Sequence, residues 1–180
     1  MLYIFDLDST LVKMYTSQPL PGTITRLMAL AREGHALAVA TNQSGVAFRA
    51  ETQDATYPSA SEMGRHLDAT AAHYPPLQSS PWFVAIHSEH LALDAEAYAA
   101  LADELRHANR TLDVRVGTGP DWRKPQPGML RAACEAHAIA PADAVFVGDM
   151  ETDQAAAAAA GIRFIYAAEF FGFAAETETE

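Results

Sequence analysis

The chain has 180 residues, and twelve Lys plus Arg against 23 Asp plus Glu give it a formal charge of −11. That length supports one sizeable core rather than two, and 49% apolar with 19% charged residues excludes wholesale disorder. There is no apolar run long enough to span a bilayer. The single cysteine, Cys134, leaves no internal disulfide and no multi-thiolate zinc site, and Met1–Phe5 stops at Asp6 with no basic leader before it, so a cytoplasmic domain is expected.

In chain order, Leu2–Phe5 reads as a strand, and Ile24, Leu27, Met28 and Ala31 then fall at helical spacing between Pro21 and a closing Gly34. Ala36–Ala40 is the second strand and Ser59–His73 the next helix. Trp82–Ile86 is the third strand and Ala95–His107 a further helix. Gly128–His137 follows as a helix with Met129, Leu130, Ala133 and Cys134 on one face. Ala144–Val147 is a strand, Thr152–Ala160 a helix ending at Gly161, and Ile162–Tyr166 the last strand. The strands are apolar almost without interruption, which suits strands covered on both faces. The alternation predicts an α/β fold, a doubly wound, mainly parallel Rossmann-like sheet with right-handed crossovers. Residues 1–168 are expected to form this domain, with 88–122 a loop or helical insertion near the site and 169–180 an acidic tail. Phe170, Phe171 and Phe173 are expected to pack the chain end onto the core.

In such sheets ligands sit beyond the carboxyl ends of the strands. The residues placed there are Asp6-Leu7-Asp8-Ser9-Thr10, Thr41-Asn42-Gln43-Ser44-Gly45, and Gly148-Asp149 followed by Asp153, with Arg123-Lys124-Pro125 ahead of a helix. Uncompensated carboxylates at one edge raise one another's pKa, and a hard divalent cation held by oxygen ligands, usually Mg²⁺, removes that penalty. Lys124 is one of only two lysines in the chain. With Mg²⁺ it would stabilise charge on a phosphoryl group, and Thr41 would donate a hydrogen bond to its oxygen. A carboxylate nucleophile divides the transfer into formation and hydrolysis of an aspartyl phosphate, and a second carboxylate protonates the leaving oxygen and then activates water.

These four motifs, in this order over residues 1–166, resemble the haloacid dehalogenase (HAD) superfamily. Thr41-Asn42-Gln43-Ser44-Gly45 and Arg123-Lys124-Pro125-Gln126-Pro127-Gly128-Met129 are similar to the branch containing heptose-bisphosphate, histidinol-phosphate and polynucleotide 3′-phosphatases. The resemblance implies Asp6 as nucleophile, Asp8 as acid/base, and Thr41 and Lys124 as catalytic partners. It implies Mg²⁺ on Asp6, Asp149 and Asp8 (through its carbonyl), with Thr10 and Asp153 in support. Asn42, Gln43 and Arg123 are the expected substrate contacts. The sequence departs from the branch at the zinc loop: Pro120 and Trp122 stand where two thiols would be, which leaves His87 and His90 without partners. It departs again at the Arg after the Asn-Gln-Ser-Gly turn, which is Phe48 here, with Arg49 one place later.

The function expected is therefore a Mg²⁺-dependent phosphomonoesterase acting on a small phosphorylated metabolite of the sugar or amino-alcohol type. Only Leu11–Ala40 separate the first two motifs, too little for a large cap domain. The alternative is a polynucleotide 3′-phosphatase. The last twelve residues hold four acids and no base, which leaves seven of the eleven excess negative charges on the body. That field disfavours nucleic acid. A catalytically silent phosphate-binding or scaffold domain would have no use for Asp8, and a dehalogenase would not need its proton. No membrane partner is expected; the oligomeric state stays open and is compatible with a monomer.

Overall fold

The computed structural model describes residues 1–173. Six parallel strands form one sheet: β1 (Leu2–Phe5), β2 (Ala36–Asn42), β3 (Pro81–Ala85), β4 (Asp113–Gly117), β5 (Ala144–Gly148) and β6 (Arg163–Tyr166), in the order β4-β3-β2-β1-β5-β6. Seven helices accompany them: α1 (Thr23–Arg32), α2 (Gly45–Thr52), α3 (Ala60–Ala71), α4 (Ala95–Ala108), α5 (Gly128–His137), α6 (Glu151–Ala160) and α7 (Ala167–Phe171). The chain builds outward from β1 through β4, then crosses back to β5 on the other side of β1. Strand order thus reverses at β1, and in open parallel sheets a crevice forms at such a point.

Alternation along each strand divides the core into two layers. Phe5, Val39, Trp82, Val84 and Val147 face one layer with Leu27, Leu30, Leu67 and Leu105 of α1, α3 and α4. Leu2, Ile4, Phe83 and Phe146 face the other with Met129, Leu130, Cys134, Ala156, Ala157 and Ala160 of α5 and α6. The alanine run 155–160 is helical, and its small side chains let α6 lie close to the sheet. Helix signals hold where they are chemical. Ser59 and Glu62 form a reciprocal capping box on α3, and Gly34 and Gly161 follow their helices in the left-handed conformation.

The structure corrects the expectation for 88–122. That segment is no insertion: it supplies α4 and the edge strand β4, an ordinary crossover of the sheet. Asp113-Val-Arg-Val-Gly alternates because only part of an edge strand is covered, and an Asp113–Arg115 ion pair occupies its exposed side. The folded unit also runs past 168. Helix α7 places Phe170 and Phe171 against Phe5, and Arg26 lies over the Phe170 ring. The remaining acidic tail, Glu176–Glu180, lies outside the described residues.

Between β1 and α1, residues 7–22 form a looped hairpin anchored from beneath by Tyr74. The fully buried Tyr74 hydroxyl donates to the Leu11 carbonyl and pairs with Thr23 Oγ1 at 2.9 Å. Burial pushes its phenol up to about 12, the Thr23 hydrogen bond offsetting only part of the shift. The folded chain therefore keeps this proton longer than the unfolded one. Stability is intact below pH 10 and is lost as pH rises towards 12, by on the order of 2–3 kcal/mol for two pKa units. Urea midpoints at pH 9 and pH 11 should fall further for wild type than for Tyr74→Phe. At neutral pH that variant should itself lose about 0.5–1.5 kcal/mol for the hydrogen bonds of the Tyr74 hydroxyl, because the Leu11 carbonyl keeps the Leu20 amide.

Candidate active site

The crevice at β1 is built from strand ends. Asp6 continues β1, its amide held by the Val147 carbonyl at 2.9 Å, while Asp149 and Asp153 follow β5. Lys124 enters from the turn before α5 and is 3% exposed. Its ammonium donates to Asp6 Oδ1 at 2.5 Å, Asp153 Oδ1 at 2.7 Å and the Ala40 carbonyl at 3.1 Å. All three of its protons thus have acceptors, and the Phe146 ring lies beneath it at 5.3 Å. Burial alone would lower this ammonium, but Asp6 and Asp153 outweigh it and hold it above the ordinary lysine value.

The carboxylates are less well compensated. Burial pushes Asp6 up; Lys124 offsets part of that and Asp153 adds to it. Asp149 is raised in the same way, first by burial and then by Asp153. One oxygen from each of Asp6, Asp149 and Asp153 lies within 4.8 Å of the others. Three buried or half-buried carboxylates around one ammonium form a hard oxygen donor set with negative charge to spare, which fits Mg²⁺. Asp153 has little left for an ion, because Oδ1 meets Lys124 and Oδ2 accepts the Asp149 and Met150 amides at 3.2 and 3.1 Å. That leaves Asp6 and Asp149 as the free carboxylate donors.

Asp8 faces elsewhere, the chain having turned at Ser9 (φ 58°). Its Oδ1 accepts the Tyr15 amide at 2.9 Å and its Oδ2 the Gln43 side-chain amide at 2.8 Å. Gln43 Nε2 also donates to Thr41 Oγ1 at 3.1 Å, so one amide ties Asp8 to Thr41. Asn42 closes a two-point clamp on Lys124: its Nδ2 donates to the Lys124 carbonyl and its Oδ1 accepts the Lys124 amide, both at 3.0 Å. Both side chains were expected to touch substrate; in the structure their amides hold Lys124 and Asp8, and both residues also line the cleft beside Asp8. Arg123 is half-buried, and its Nη1 has no hydrogen-bond partner among the described residues. Thr10 is fully buried beneath the loop, its hydroxyl likewise unpartnered. His87 stacks on Tyr98 and His90 is exposed; neither joins the acidic cluster.

Sequence reasoning missed the far wall. A cleft beyond Asp8 is lined by Phe48 of α2, Tyr57 of the loop after it, Glu62, Met63 and His66 of α3, and Tyr15 of the hairpin. The available signal was the long β2–β3 connection, which leaves the sheet edge right beside Asp8.

A buried lysine bridging an aspartate at the end of β1 and another in the first turn of α6, with a third carboxylate two residues after the first, defines a phosphoryl-transfer class of α/β enzyme. The model for HAD-hydrolase-like proteins matches residues 121–169. The D-glycero-beta-D-manno-heptose-1,7-bisphosphate 7-phosphatase of Pseudomonas putida is 32% identical over 161 residues, covering 87% of this chain and 71% of that protein. The crystal structure of the D,D-heptose 1,7-bisphosphate phosphatase of B. bronchiseptica, complexed with magnesium and phosphate, superposes with a TM-score of 0.50. It does so at 22% identity, over 91% of this chain and 78% of that one. A HAD-like structure from Mesorhizobium loti gives a TM-score of 0.52 at 21% identity, over 89% and 68%. At those identities the two structures bear on the fold alone. The chain belongs to the HAD superfamily, in the heptose-bisphosphate phosphatase branch, and is a phosphoric monoester hydrolase.

Gly148 sets the closeness of the Lys124–Asp153 contact. A Cβ there would lie 2.5 Å from Asp153 Oδ2 and 2.7 Å from its Cβ and Cγ. Gly148→Ala should displace Asp153, cost about 1–3 kcal/mol by overpacking, and lower phosphatase kcat/KM by roughly 10²-fold through misplaced Lys124. Urea midpoints and steady-state kinetics on the same preparation check both.

Proposed function

We propose that this protein is a Mg²⁺-dependent phosphomonoesterase that hydrolyses a small phosphorylated metabolite, of the sugar or amino-alcohol type, through an aspartyl phosphate on Asp6. The observation that carries the reading is the Asp6–Lys124–Asp153 arrangement, with Asp8 oriented separately by Tyr15 and Gln43. The relative of P. putida, whose name specifies a sugar bisphosphate, supports the small-metabolite class.

In the first half-reaction an Asp6 oxygen attacks phosphorus and the bond from phosphorus to the ester oxygen breaks. Asp8, protonated, gives its proton to the departing alcohol. In the second, Asp8 takes a proton from water, the hydroxide attacks phosphorus, and the bond to Asp6 breaks to release phosphate. Lys124 favours the ionised form of Asp6, holds it in place and offsets charge on the phosphoryl oxygens. The Thr41 hydroxyl, fixed by Gln43, donates to one of those oxygens, and the unpartnered Arg123 guanidinium approaches from the same turn as Lys124. Asp6, Asp149 and the Asp8 carbonyl would hold Mg²⁺, which supplies charge neutralisation at the phosphoryl group.

Asp6→Asn keeps the shape and removes the attacking charge. Turnover of p-nitrophenyl phosphate should fall by on the order of 10⁴-fold, with the circular dichroism spectrum unchanged. Near-normal turnover after exclusion of deamidation would overturn the mechanism. Chelation should abolish activity and added Mg²⁺ restore it, measured in the same assay; activity that survives exhaustive chelation would contradict the metal assignment.

A further inference from the structure

Asp8 stands clear of the strands, and two donors fix its carboxylate. The Tyr15 amide, which meets Oδ1 at 2.9 Å, belongs to an exposed part of the hairpin, Tyr15 itself being 86% exposed. The Gln43 side chain, which meets Oδ2 at 2.8 Å, comes from the interior. Gln43 is 9% exposed, and its backbone amide donates to the Ala85 carbonyl at the end of β3 at 2.7 Å. The buried support of Asp8 is therefore Gln43, seated between two neighbouring strand ends.

Gln43 Nε2 carries two hydrogens. One goes to Asp8 and the other to Thr41 Oγ1 at 3.1 Å, so both are spent. The reverse amide orientation would set Oε1 against the Asp8 carboxylate. Thr41 is 1% exposed and accepts from Gln43, which leaves its own proton for a phosphoryl oxygen. A single nitrogen thus fixes the spacing between the group that protonates the leaving oxygen and the group that holds the phosphoryl oxygen. Asn42, one residue earlier, grips the Lys124 backbone instead.

We propose that Gln43 is a positioning residue for proton transfer to the departing alcohol: through one side-chain amide it aligns Asp8 with the ester oxygen and Thr41 with the phosphoryl group. In that step the bond from phosphorus to the ester oxygen breaks and its electron pair stays on the oxygen. The Asp8 proton joins that oxygen, so the alcohol leaves neutral and Asp8 is left as an anion. Attack by Asp6 takes no proton from Asp8. Misplacing Asp8 therefore harms a substrate more, the more basic its leaving group. The proposal rests on the phosphomonoesterase reading above and names a residue that governs its first half-reaction.

The test compares kcat/KM, which reports the first half-reaction, for three substrates of similar size: benzyl phosphate, phenyl phosphate and p-nitrophenyl phosphate. Their leaving groups fall in basicity in that order, and p-nitrophenolate departs unaided. Gln43→Met keeps the side-chain length and removes both N–H donors; Gln43→Glu keeps the polarity and sets an acceptor against Asp8. Each should lower benzyl phosphate by about 10²-fold and p-nitrophenyl phosphate by less than about tenfold, with the circular dichroism spectrum unchanged. Asn42→Ala, acting through the Lys124 that all three substrates share, should lower them by a common factor. Equal losses across the series in the Gln43 variants, the mark of a structural role or of a direct substrate contact, overturn the proposal and leave the phosphomonoesterase reading standing. So does the absence of any loss, or the same selective loss in Asn42→Ala. A wild-type enzyme that turns over none of the three with Mg²⁺ present overturns both.

Discussion

A buried ammonium must have its protons accepted and its charge opposed, and in this molecule that requirement falls on Lys124. Its three acceptors come from the end of β1, from β2 and from the first turn of α6. Removing either carboxylate would leave a charge stranded away from water, so the three segments are held to one geometry. Much of the local sequence follows from that. Asn42 grips the backbone on both sides of the lysine, and Gly148 lacks the side chain that would push Asp153 away. The small alanines of α6 let the helix bearing Asp153 approach the sheet. The negative charge that remains beyond the one lysine is what makes the place suited to a cation.

The site has two chemically distinct halves that meet between Asp6 and Asp8. On the Lys124 side, ammonium, hydroxyl and oxygen donors converge where a phosphoryl group would be handled. On the Asp8 side, carboxylates and aromatic faces line an open cleft without a cation. The turn at Ser9 separates the halves. Two residues apart on a regular strand, the aspartates would point to the same face of the sheet; curling the chain sends Asp8 to the Tyr15 amide and Gln43 instead. The proposed chemistry needs that separation, since one aspartate must stay ionised to attack while the other carries a proton.

Legibility in the sequence tracked how local the cause was. Strands buried on both faces are near-continuous apolar runs, and β1, β2, β3 and β5 read as such. β4 did not, because an edge strand covered on one side alternates, and Asp113 and Arg115 disguise it. Helices with a chemical stop or start, such as Ser59 with Glu62 or the closing Gly161, were readable. α2 was not, having no side-chain cap and a glycine at its first position.

Spacing and residue type determined the α/β class, the strand-end position of Asp6, Thr41 and Asp149, and the singular importance of Lys124 in a chain with two lysines. Those are properties of short segments and of composition. Which hydrogen bonds the polar side chains make was decided only by the tertiary structure. Asn42 and Gln43 look like free contacts in sequence and are engaged with Lys124 and Asp8 in space. The cleft wall belongs to α2 and α3, far along the chain from Asp8, while the 88–122 segment expected beside the site became α4 and an edge strand. Side-chain partners depend on which strand ends are adjacent, and adjacency across a parallel sheet is set by crossovers that no local window of sequence contains.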